Sequence, residues 1–391
     1  MSSHPTRRHL LGATLAGGAL SAWSSLSLAA LAAPTDRRFV LVILRGGMDG
    51  LYAVPAVGDP EFGAARGPLA QYASALLALD ATFALHPNLH QLHAMYGRDE
   101  LAVVHAVGLP YRERSHFDAQ QVLESGGTRP HELTTGWLAR ALAGSGAKGL
   151  ALNTAVPLVL RGPGSVDTWA PSALPDPAPD LVTRLELLYA GDPVLANALA
   201  RAKALHFEND MAAGMQGAPG GGFAALARRA GEFLVQANGP TAAVLELGGW
   251  DSHANEAAAN GALNNNLRNL DTGLAALREA LLADGTWNRT VVVVATEFGR
   301  EVAGNGTQGT DHGSGGAAFV LGGAVKGGRV LADWPGLARK DRFDGRDLRI
   351  TTDLRAVLKS VLSDHLQVSN SKLNQEVFPD SGRLGRVALL R

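Results

Sequence analysis

The sequence contains no cysteine. This absence excludes disulfides, thiolate metal ligands and cysteine nucleophiles. Charge is also scarce, since 18% of the 391 residues are charged, the formal net charge is −1, and no basic run is longer than Arg7-Arg8. Proteins that bind nucleic acid usually carry a basic stripe, so we expect no nucleic-acid partner. Beyond the N-terminal region no segment reaches the roughly 18 consecutive apolar residues of a membrane helix, so we expect no stable membrane span in the mature chain.

Apolar residues, by contrast, are abundant at 46% of the chain, which is enough for a large core. They occur in short, mostly continuous runs rich in Val and Ile, a pattern typical of strands that are buried on both faces of a parallel sheet. The predicted strands span residues 39–44, 101–107, 157–160, 242–247, 291–295 and 317–321. The sequence therefore predicts the α/β class, with a mostly parallel central sheet between two helical layers.

Helical patterns lie between these runs. The clearest is a stripe of leucines over residues 263–281, spaced alternately four and three apart. We also predict amphipathic helices over 223–237 and over 353–366, the latter begun by Thr352 or Asp353 as a cap. Residues 162–180 lack periodicity and predict a surface loop, and residues 214–222 predict a glycine-rich turn.

The N-terminal segment has the features of an export signal. Residues 6–33 begin with Arg7-Arg8, continue with an apolar stretch and end in small residues near Ala30-Leu31-Ala32. The paired arginines favour the twin-arginine type, and the alternative is an uncleaved anchor helix. We therefore expect residues 1–33 to be a signal, residues 34–391 to form a single domain, and the protein to be periplasmic or otherwise exported through the twin-arginine translocation machinery.

Polar clusters follow four of the predicted strands directly. The carboxyl ends of parallel strands meet at one edge of a sheet, where α/β proteins form their sites. We therefore expect the candidate residues to lie together at that edge. The candidate metal ligands are Asp49, Asp251, His253, Glu297, Asp311 and His312, and the candidate catalytic residues are Arg45, Ser115 and His116.

Carboxylates and imidazoles without thiolates favour a divalent ion such as Zn²⁺, Mn²⁺ or Mg²⁺. Each candidate also has a structural interpretation. Asp49 lies in a Met-Asp-Gly turn, Glu297 could form a buried ion pair with Arg300, and His312 could bond to loop backbone. Ser115 precedes a possible helix over 117–125, so it is either a nucleophile or a helix cap. Arg45, with its planar guanidinium, could hold the oxygens of an anionic ester.

Taken together and in order, these motifs resemble the exported domain-of-unknown-function 1501 family. The motifs are Arg45-Gly46-Gly47-Met48-Asp49-Gly50, Arg114-Ser115-His116-Phe117-Asp118-Ala119-Gln120, Gly249-Trp250-Asp251-Ser252-His253, Thr296-Glu297-Phe298-Gly299-Arg300 and Asp311-His312-Gly313. That family is similar to the alkaline phosphatase and sulfatase superfamily, and the resemblance implies a three-layer α/β/α fold and metal-assisted hydrolysis.

The match to the superfamily pattern is partial. Asp251 and His253 are two positions apart where the superfamily spaces the pair by four, and Thr296-Glu297 stands where an Asp-His pair is usual. The resemblance therefore implies an exported, metal-dependent hydrolase of phosphate or sulfate esters, whose substrate is a small molecule or a polymer. The alternative is a non-catalytic exported binding or assembly protein that retains a degenerate site.

Overall fold

The computed structural model describes residues 35–171, 179–213 and 222–391. The predicted signal over residues 1–33 lies outside this part of the chain. So do most of the predicted turn over 214–222 and a portion of the predicted loop over 162–180. None of the helices in the described ranges has both the length and the apolar character needed to cross a membrane.

Most of the strands form one large sheet. In chain order they are β1 (Arg38–Leu44), β2 (Leu77–Ala78), β3 (Ala84–Leu85), β4 (Leu101–Gly108), β5 (Lys148–Ala151), β6 (Ser165–Thr168), β7 (Ala242–Leu247), β8 (Thr290–Thr296), β9 (Gly316–Leu321), β10 (Arg329–Leu331) and β11 (Thr352–Asp353). The spatial order is β10-β4-β9-β8-β1-β7-β5-β6, with β11 also on β4, while β2 and β3 pair separately. Only β9 runs antiparallel to its neighbours in this sheet, β4 and β8.

Helices cover both faces of the sheet. In chain order they are α1 (Gly50–Ala53), α2 (Phe62–Arg66), α3 (His90–Gly97), α4 (His116–Ser125), α5 (Trp137–Leu142), α6 (Pro179–Tyr189), α7 (Pro193–Ala213), α8 (Phe223–Leu234), α9 (Ala262–Leu282), α10 (Leu354–Asp364) and α11 (Asn370–Lys372). Short 3₁₀ segments occur at Gly67–Ala70, Leu158–Leu160, Thr286–Arg289 and Arg339–Asp341, and one π turn at Leu373–Val377.

Each central strand contributes to two cores because successive side chains point to opposite faces of the sheet. In β1, Val40 and Val42 pack with the leucines of α9, whereas Leu41 and Ile43 pack on the other side with Val357 of α10. Every residue of β1, β4, β8 and β9 is buried. The structure thus confirms the predicted fold class, a three-layer α/β/α arrangement around a mostly parallel sheet.

The strand predicted over residues 157–160 is wrong. Pro157 has no N–H to donate to a ladder, and Leu158–Leu160 form a 3₁₀ turn instead. The sequence reading also missed β5 and β6. The β5 segment contains Lys148 and Gly149 among only four residues, and β6 at the sheet edge is mainly polar, so neither shows a buried apolar run.

The topology brings the predicted polar clusters to one edge. The strands β1, β4, β7 and β8 run in the same direction, so the loops that follow them leave from the same side. Because β9 is antiparallel to β8, it begins where β8 ends. The segment 297–315 between them therefore stays at that edge, and it carries Glu297, Arg300, Asp311 and His312.

Candidate metal centre

Three imidazoles and one carboxylate converge at the carboxyl edge of the sheet. We call His116, Asp251, His253 and His312 the imidazole cluster. The ligand atoms of His116, Asp251 and His312 all lie within 4.8 Å of one another. The Nε2 atom of His312 is 3.1 Å from that of His116 and 3.1 Å from that of His253.

Asp251 lies at the centre of these contacts. Its Oδ1 atom is 3.1 Å from His312 Nε2, 3.4 Å from His116 Nε2 and 2.9 Å from His253 Nε2. Ligands held about 2.0–2.1 Å from a tetrahedral ion are about 3.3–3.4 Å apart from one another. The spacing of His116, Asp251 and His312 is therefore close to that of three ligands around one ion.

The second nitrogen of each imidazole has an acceptor that orients the ring. His312 Nδ1 lies 2.9 Å from the carbonyl oxygen of Arg114, which can only accept a hydrogen bond. His116 Nδ1 lies 2.8 Å from Glu297 Oε1, and His253 Nδ1 lies 3.2 Å from Asp311 Oδ1. A proton on each Nδ1 leaves the Nε2 lone pairs facing one another, an arrangement that needs a positive centre between them.

The carboxylates around the cluster are ionised. Burial alone would raise the pKa of Asp251, but the hydrogen bond and charge of Arg300 outweigh it and lower that pKa to about 2. Burial alone would also raise the pKa of Glu297, but the hydrogen bond from His116 outweighs burial and lowers that pKa. The hydrogen bond from Asn305 lowers the pKa of Asp311.

These charges leave the cluster electron-rich. Asp251 lies among the Nε2 atoms and accepts from Arg300 at 2.8 Å, while Glu297 and Asp311 contact the far nitrogens of His116 and His253. A divalent cation among the Nε2 atoms would be attracted by these carboxylates.

The pKa values of the neighbouring imidazoles shift in opposite directions. The hydrogen bond to Glu297 raises the pKa of His116, while burial lowers the pKa of His312. His312 is therefore the more readily available of the two in the neutral form that a metal ion requires.

Close backbone packing holds the loops of the site together. The N–H of Gly46 donates to Glu297 Oε1 at 2.8 Å. Gly46 has φ +121°, and a Cβ atom there would lie 2.5 Å from the backbone nitrogen of Asp251, so only glycine fits. Phe298 packs against the rings of His116 and His312, with centroid distances of 4.7 and 5.1 Å, and so limits their rotation.

Glu297 joins the site as an acceptor and not as a group that faces the cluster. Its side chain is fully buried. Oε1 accepts from Gly46, His116 and Gln120. Oε2 lies 3.0 Å from the Thr296 hydroxyl, whose single proton is shared with the Leu44 carbonyl oxygen at 2.8 Å. Oε1 is therefore occupied by three donors. The sequence predicts Glu297 as a metal ligand. In the structure Glu297 is a hydrogen-bond partner that orients the ring of His116.

The structure does not bring Asp49 into the cluster. Its Oδ1 atom accepts from the backbone N–H groups of Leu51 and Tyr52 at 2.9 and 3.1 Å, which caps α1. Its Oδ2 atom pairs with Arg66, and both side chains are buried. Asp49 is thus engaged by a helix cap and a buried ion pair, which leaves neither oxygen free for a metal.

Arg45 and Ser115 also have other partners. The Arg45 guanidinium pairs with Glu124 at 2.7 Å and with Glu246 at 2.8 Å, so it is not free to hold an anionic ester. Ser115 is the N-cap of α4, and its hydroxyl accepts from the N–H of Asp118 at 3.5 Å.

Sequence reasoning missed Gln120 as a member of the supporting network. Gln120 Nε2 donates to Glu297 Oε1 at 3.1 Å, and its Oε1 accepts from Arg45 at 3.3 Å. A signal for it exists in the sequence. His116, Gln120 and Glu124 follow one another at intervals of four, which places them on one face of α4.

A family model supports the resemblance drawn from the motifs. The family described as "Protein of unknown function (DUF1501)" matches residues 36–377. No curated protein is significantly similar to the chain in sequence.

Several solved structures are remotely similar. Ps i-CgsB in complex with k-i-k-neocarrahexaose has 11% identity and a TM-score of 0.44, over 90% of this chain and 75% of that chain. Murine ectonucleotide pyrophosphatase/phosphodiesterase 5 in complex with AMP has 11% identity and a TM-score of 0.32, over 67% and 57%. The phosphonate monoester hydrolase of Agrobacterium radiobacter has 13% identity and a TM-score of 0.32, over 85% and 74%.

Proposed function

The chain belongs to the DUF1501 family, and from that premise and the geometry of the site we propose that it is a metal-dependent hydrolase of phosphate or sulfate esters. The observation that carries the proposal is the convergence of His116 Nε2, His312 Nε2 and Asp251 Oδ1. These atoms are the proposed ligands. All three side chains remain partly exposed, at 22%, 25% and 44%, so an ester could reach them from solvent.

The donor set fits a divalent ion of the Zn²⁺ or Mn²⁺ type, because two imidazoles and one carboxylate leave a coordination position open, as catalytic sites do. When bound, such an ion would polarise an ester oxygen, lower the pKa of a water molecule and offset negative charge on the ester. The protein side chains orient the ligands. Glu297 fixes the ring of His116, the Arg114 carbonyl fixes that of His312, and Arg300 fixes the carboxylate of Asp251.

We assign proton transfer to His253. Its side chain is 46% exposed, its Nε2 atom lies 2.9 Å from Asp251 Oδ1, and its Nδ1 atom is held by Asp311. A carboxylate behind the imidazole fixes the ring and stabilises its charged form. His253 could therefore hold the proton that leaves the attacking water and deliver it to the leaving alcohol.

The same contacts favour one alternative. If His253 Nε2 is a fourth ligand, three imidazoles and one carboxylate would saturate a tetrahedral ion and leave no position for water. Its contact with both His312 and Asp251 supports that arrangement. The protein would then be a non-catalytic binding or assembly protein with a closed metal site.

Replacing His253 by alanine separates the two functions. In the hydrolase, His253→Ala should keep stoichiometric metal and lower turnover of an aryl phosphate or aryl sulfate by about 10²–10⁴-fold, the usual effect of general acid–base catalysis. The measurements are elemental analysis of the purified chain and initial rates before and after chelation.

The matched control is His131→Ala, an imidazole that is 79% exposed and outside the cluster. It should change neither metal content nor turnover. Loss of metal in His253→Ala, together with no ester turnover in the parent, would overturn the hydrolase and favour the closed site.

Ser115 tests the identity of the attacking group. We propose that water attacks and that Ser115 caps α4. Ser115→Ala should therefore lower the free energy of unfolding by about 1 kcal/mol and leave turnover within about twofold. Ser369→Ala is the control, because Ser369 caps α11 in the same way, and it should cost a similar amount of stability. Turnover reduced a hundredfold at unchanged stability would instead make Ser115 the nucleophile.

The substrate class and the location follow from the sequence. The choice of phosphate or sulfate esters rests on the resemblance of the motifs to the alkaline phosphatase and sulfatase superfamily. Export rests on residues 6–33, whose paired arginines and apolar stretch have the composition of a twin-arginine signal. We propose that the protein acts outside the cytoplasm on a small or polymeric ester.

A further inference from the structure

A buried carboxylate lies behind the imidazole cluster and has no role in the function proposed above. Glu256 is 1% exposed. Its Oε2 atom accepts a hydrogen bond from the Thr310 hydroxyl at 2.8 Å, and its Oε1 atom has no hydrogen-bond partner among the residues that the structure describes. Burial raises the pKa of Glu256 to about 8. Such a group is costly to bury, so its single strong contact calls for an explanation.

That contact leads to Arg300. The Thr310 hydroxyl has one proton, which it gives to Glu256, so its oxygen is free to accept from Arg300 Nε at 3.1 Å. Without an acceptor at Glu256 the hydroxyl could rotate and direct its proton elsewhere. Glu256 therefore fixes the orientation of the Thr310 hydroxyl group, so that its oxygen can accept the hydrogen bond from Arg300 Nε.

Arg300 in turn holds Asp251. The Arg300 side chain is fully buried. Besides the bond from Nε to Thr310, Nη2 donates to the carbonyl oxygens of Ser252 and Thr310, and Nη1 donates to Asp251 Oδ1 at 2.8 Å. Because the guanidinium is planar and rigid, fixing Nε and Nη2 also fixes Nη1.

We propose that Glu256 is a positioning residue that, through Thr310 and Arg300, holds the Asp251 carboxylate at its place among the proposed ligands. The path has three hydrogen bonds, from Thr310 to Glu256 at 2.8 Å, from Arg300 to Thr310 at 3.1 Å and from Arg300 to Asp251 at 2.8 Å. The effect of Glu256 on metal affinity rests on the proposed function, whereas the effect of Glu256 on the geometry of Asp251 does not.

The carboxyl group of Glu256 lies beside a buried ion pair. Burial and the negative charge of Asp49 raise the pKa of Glu256, and the guanidinium of Arg66, which pairs with Asp49, only partly offsets them. With a pKa of about 8, Glu256 is mostly protonated at neutral pH, so it acts on Thr310 through its acceptor oxygen and not through a charge. A variant that keeps this oxygen should therefore keep the link to the metal site.

The experiment compares the zinc affinity of Glu256→Ala and Glu256→Gln by competition with a chromophoric chelator. Glu256→Ala removes the acceptor, and its zinc affinity should fall by about 10–100-fold, the usual effect of losing an outer-shell partner. Glu256→Gln keeps an oxygen that can accept from Thr310, so its zinc affinity should stay within about threefold of the parent. Thr310→Val should match Glu256→Ala, and the two changes combined should cost little more than either alone.

Asp271→Ala is the matched control. Asp271 is also a buried carboxylate, but it accepts from the backbone of Gln91 and Leu92 at 3.1 and 2.9 Å, at the start of α3. The Asp271→Ala variant should be less stable than the parent and should bind zinc with the same affinity. An equal loss of affinity in Asp271→Ala and Glu256→Ala, or an unchanged affinity in Glu256→Ala, would overturn the inference.

A crystal structure of metal-free Glu256→Ala decides the geometry without reference to metal. The bond from Arg300 Nη1 to Asp251 Oδ1 should break, and Asp251 Oδ1 should move away from its 3.1 Å contact with His312 Nε2. Retention of both contacts would refute the positioning role. If the parent binds no zinc, the proposed function fails, and this crystallographic comparison still decides the role of Glu256.

Discussion

His312→Ala should abolish stoichiometric metal binding and lower ester turnover by at least about a thousandfold. His312 Nε2 contacts His116 Nε2, His253 Nε2 and Asp251 Oδ1, each at 3.1 Å. Its removal would leave the proposed ion two ligands, His116 and Asp251. Loss of an outer-shell partner alone costs about 10–100-fold in metal affinity, and loss of a ligand should cost more.

The effect can be distinguished from misfolding. His93→Ala is the control, since the His93 imidazole contacts the carbonyl oxygen of Ala78 and lies outside the cluster. Circular dichroism should show both variants folded, while elemental analysis should show metal in the control and none in His312→Ala. A folded His312→Ala that retains stoichiometric metal would remove the metal centre from the proposed position.

Asp49→Ala should have the largest effect on stability, a loss of about 3–5 kcal/mol in the free energy of unfolding. The reason is that loss of the Asp49 carboxylate would leave the buried Arg66 guanidinium charged and without its ion-pair partner. The cap of α1 would be lost as well, because Asp49 accepts from the first N–H groups of that helix. Chemical denaturation at neutral pH measures the loss.

Metal content then distinguishes the two interpretations of Asp49, which are a metal ligand and a structural partner of Arg66. The folded fraction of Asp49→Ala should bind as much metal as the parent, since neither Asp49 oxygen faces the imidazole cluster. The double variant Asp49→Ala/Arg66→Met should recover part of the lost stability, because the uncompensated charge is gone. Parent-like stability combined with lost metal would return Asp49 to the ligand set.

Much of the fold could be predicted because its central strands are strongly apolar. The apolar runs predict β1, β4, β7, β8 and β9 to within one residue at each end. The polar edge strands β5 and β6 could not be found in this way, since they are short and bury little. The antiparallel direction of β9 could not be predicted either, because an apolar run has the same pattern in either direction.

The candidate site was predictable in position but not in the role of each residue. Spacing along the chain placed Asp251, Glu297 and His312 at one edge, as the structure shows. It could not show that Asp49 faces Arg66, because Arg66 lies in α2 within a segment that carries no motif. Similarly, the link from Glu256 to Arg300 passes through Thr310, which is 54 positions from Glu256, and only tertiary packing reveals it.

The position of β1 in the sheet constrains how the protein is made. Phe39 of β1 pairs with Ala242 and with Val291, which are 203 and 252 positions later in the chain. A nascent chain leaving the ribosome therefore displays this strand, which is apolar from Phe39 to Leu44, for about half of its synthesis before either neighbour exists. Folding of the central layer must wait until β8 has been made, and a chaperone that binds extended apolar segments would have its natural target at residues 38–44 during that interval.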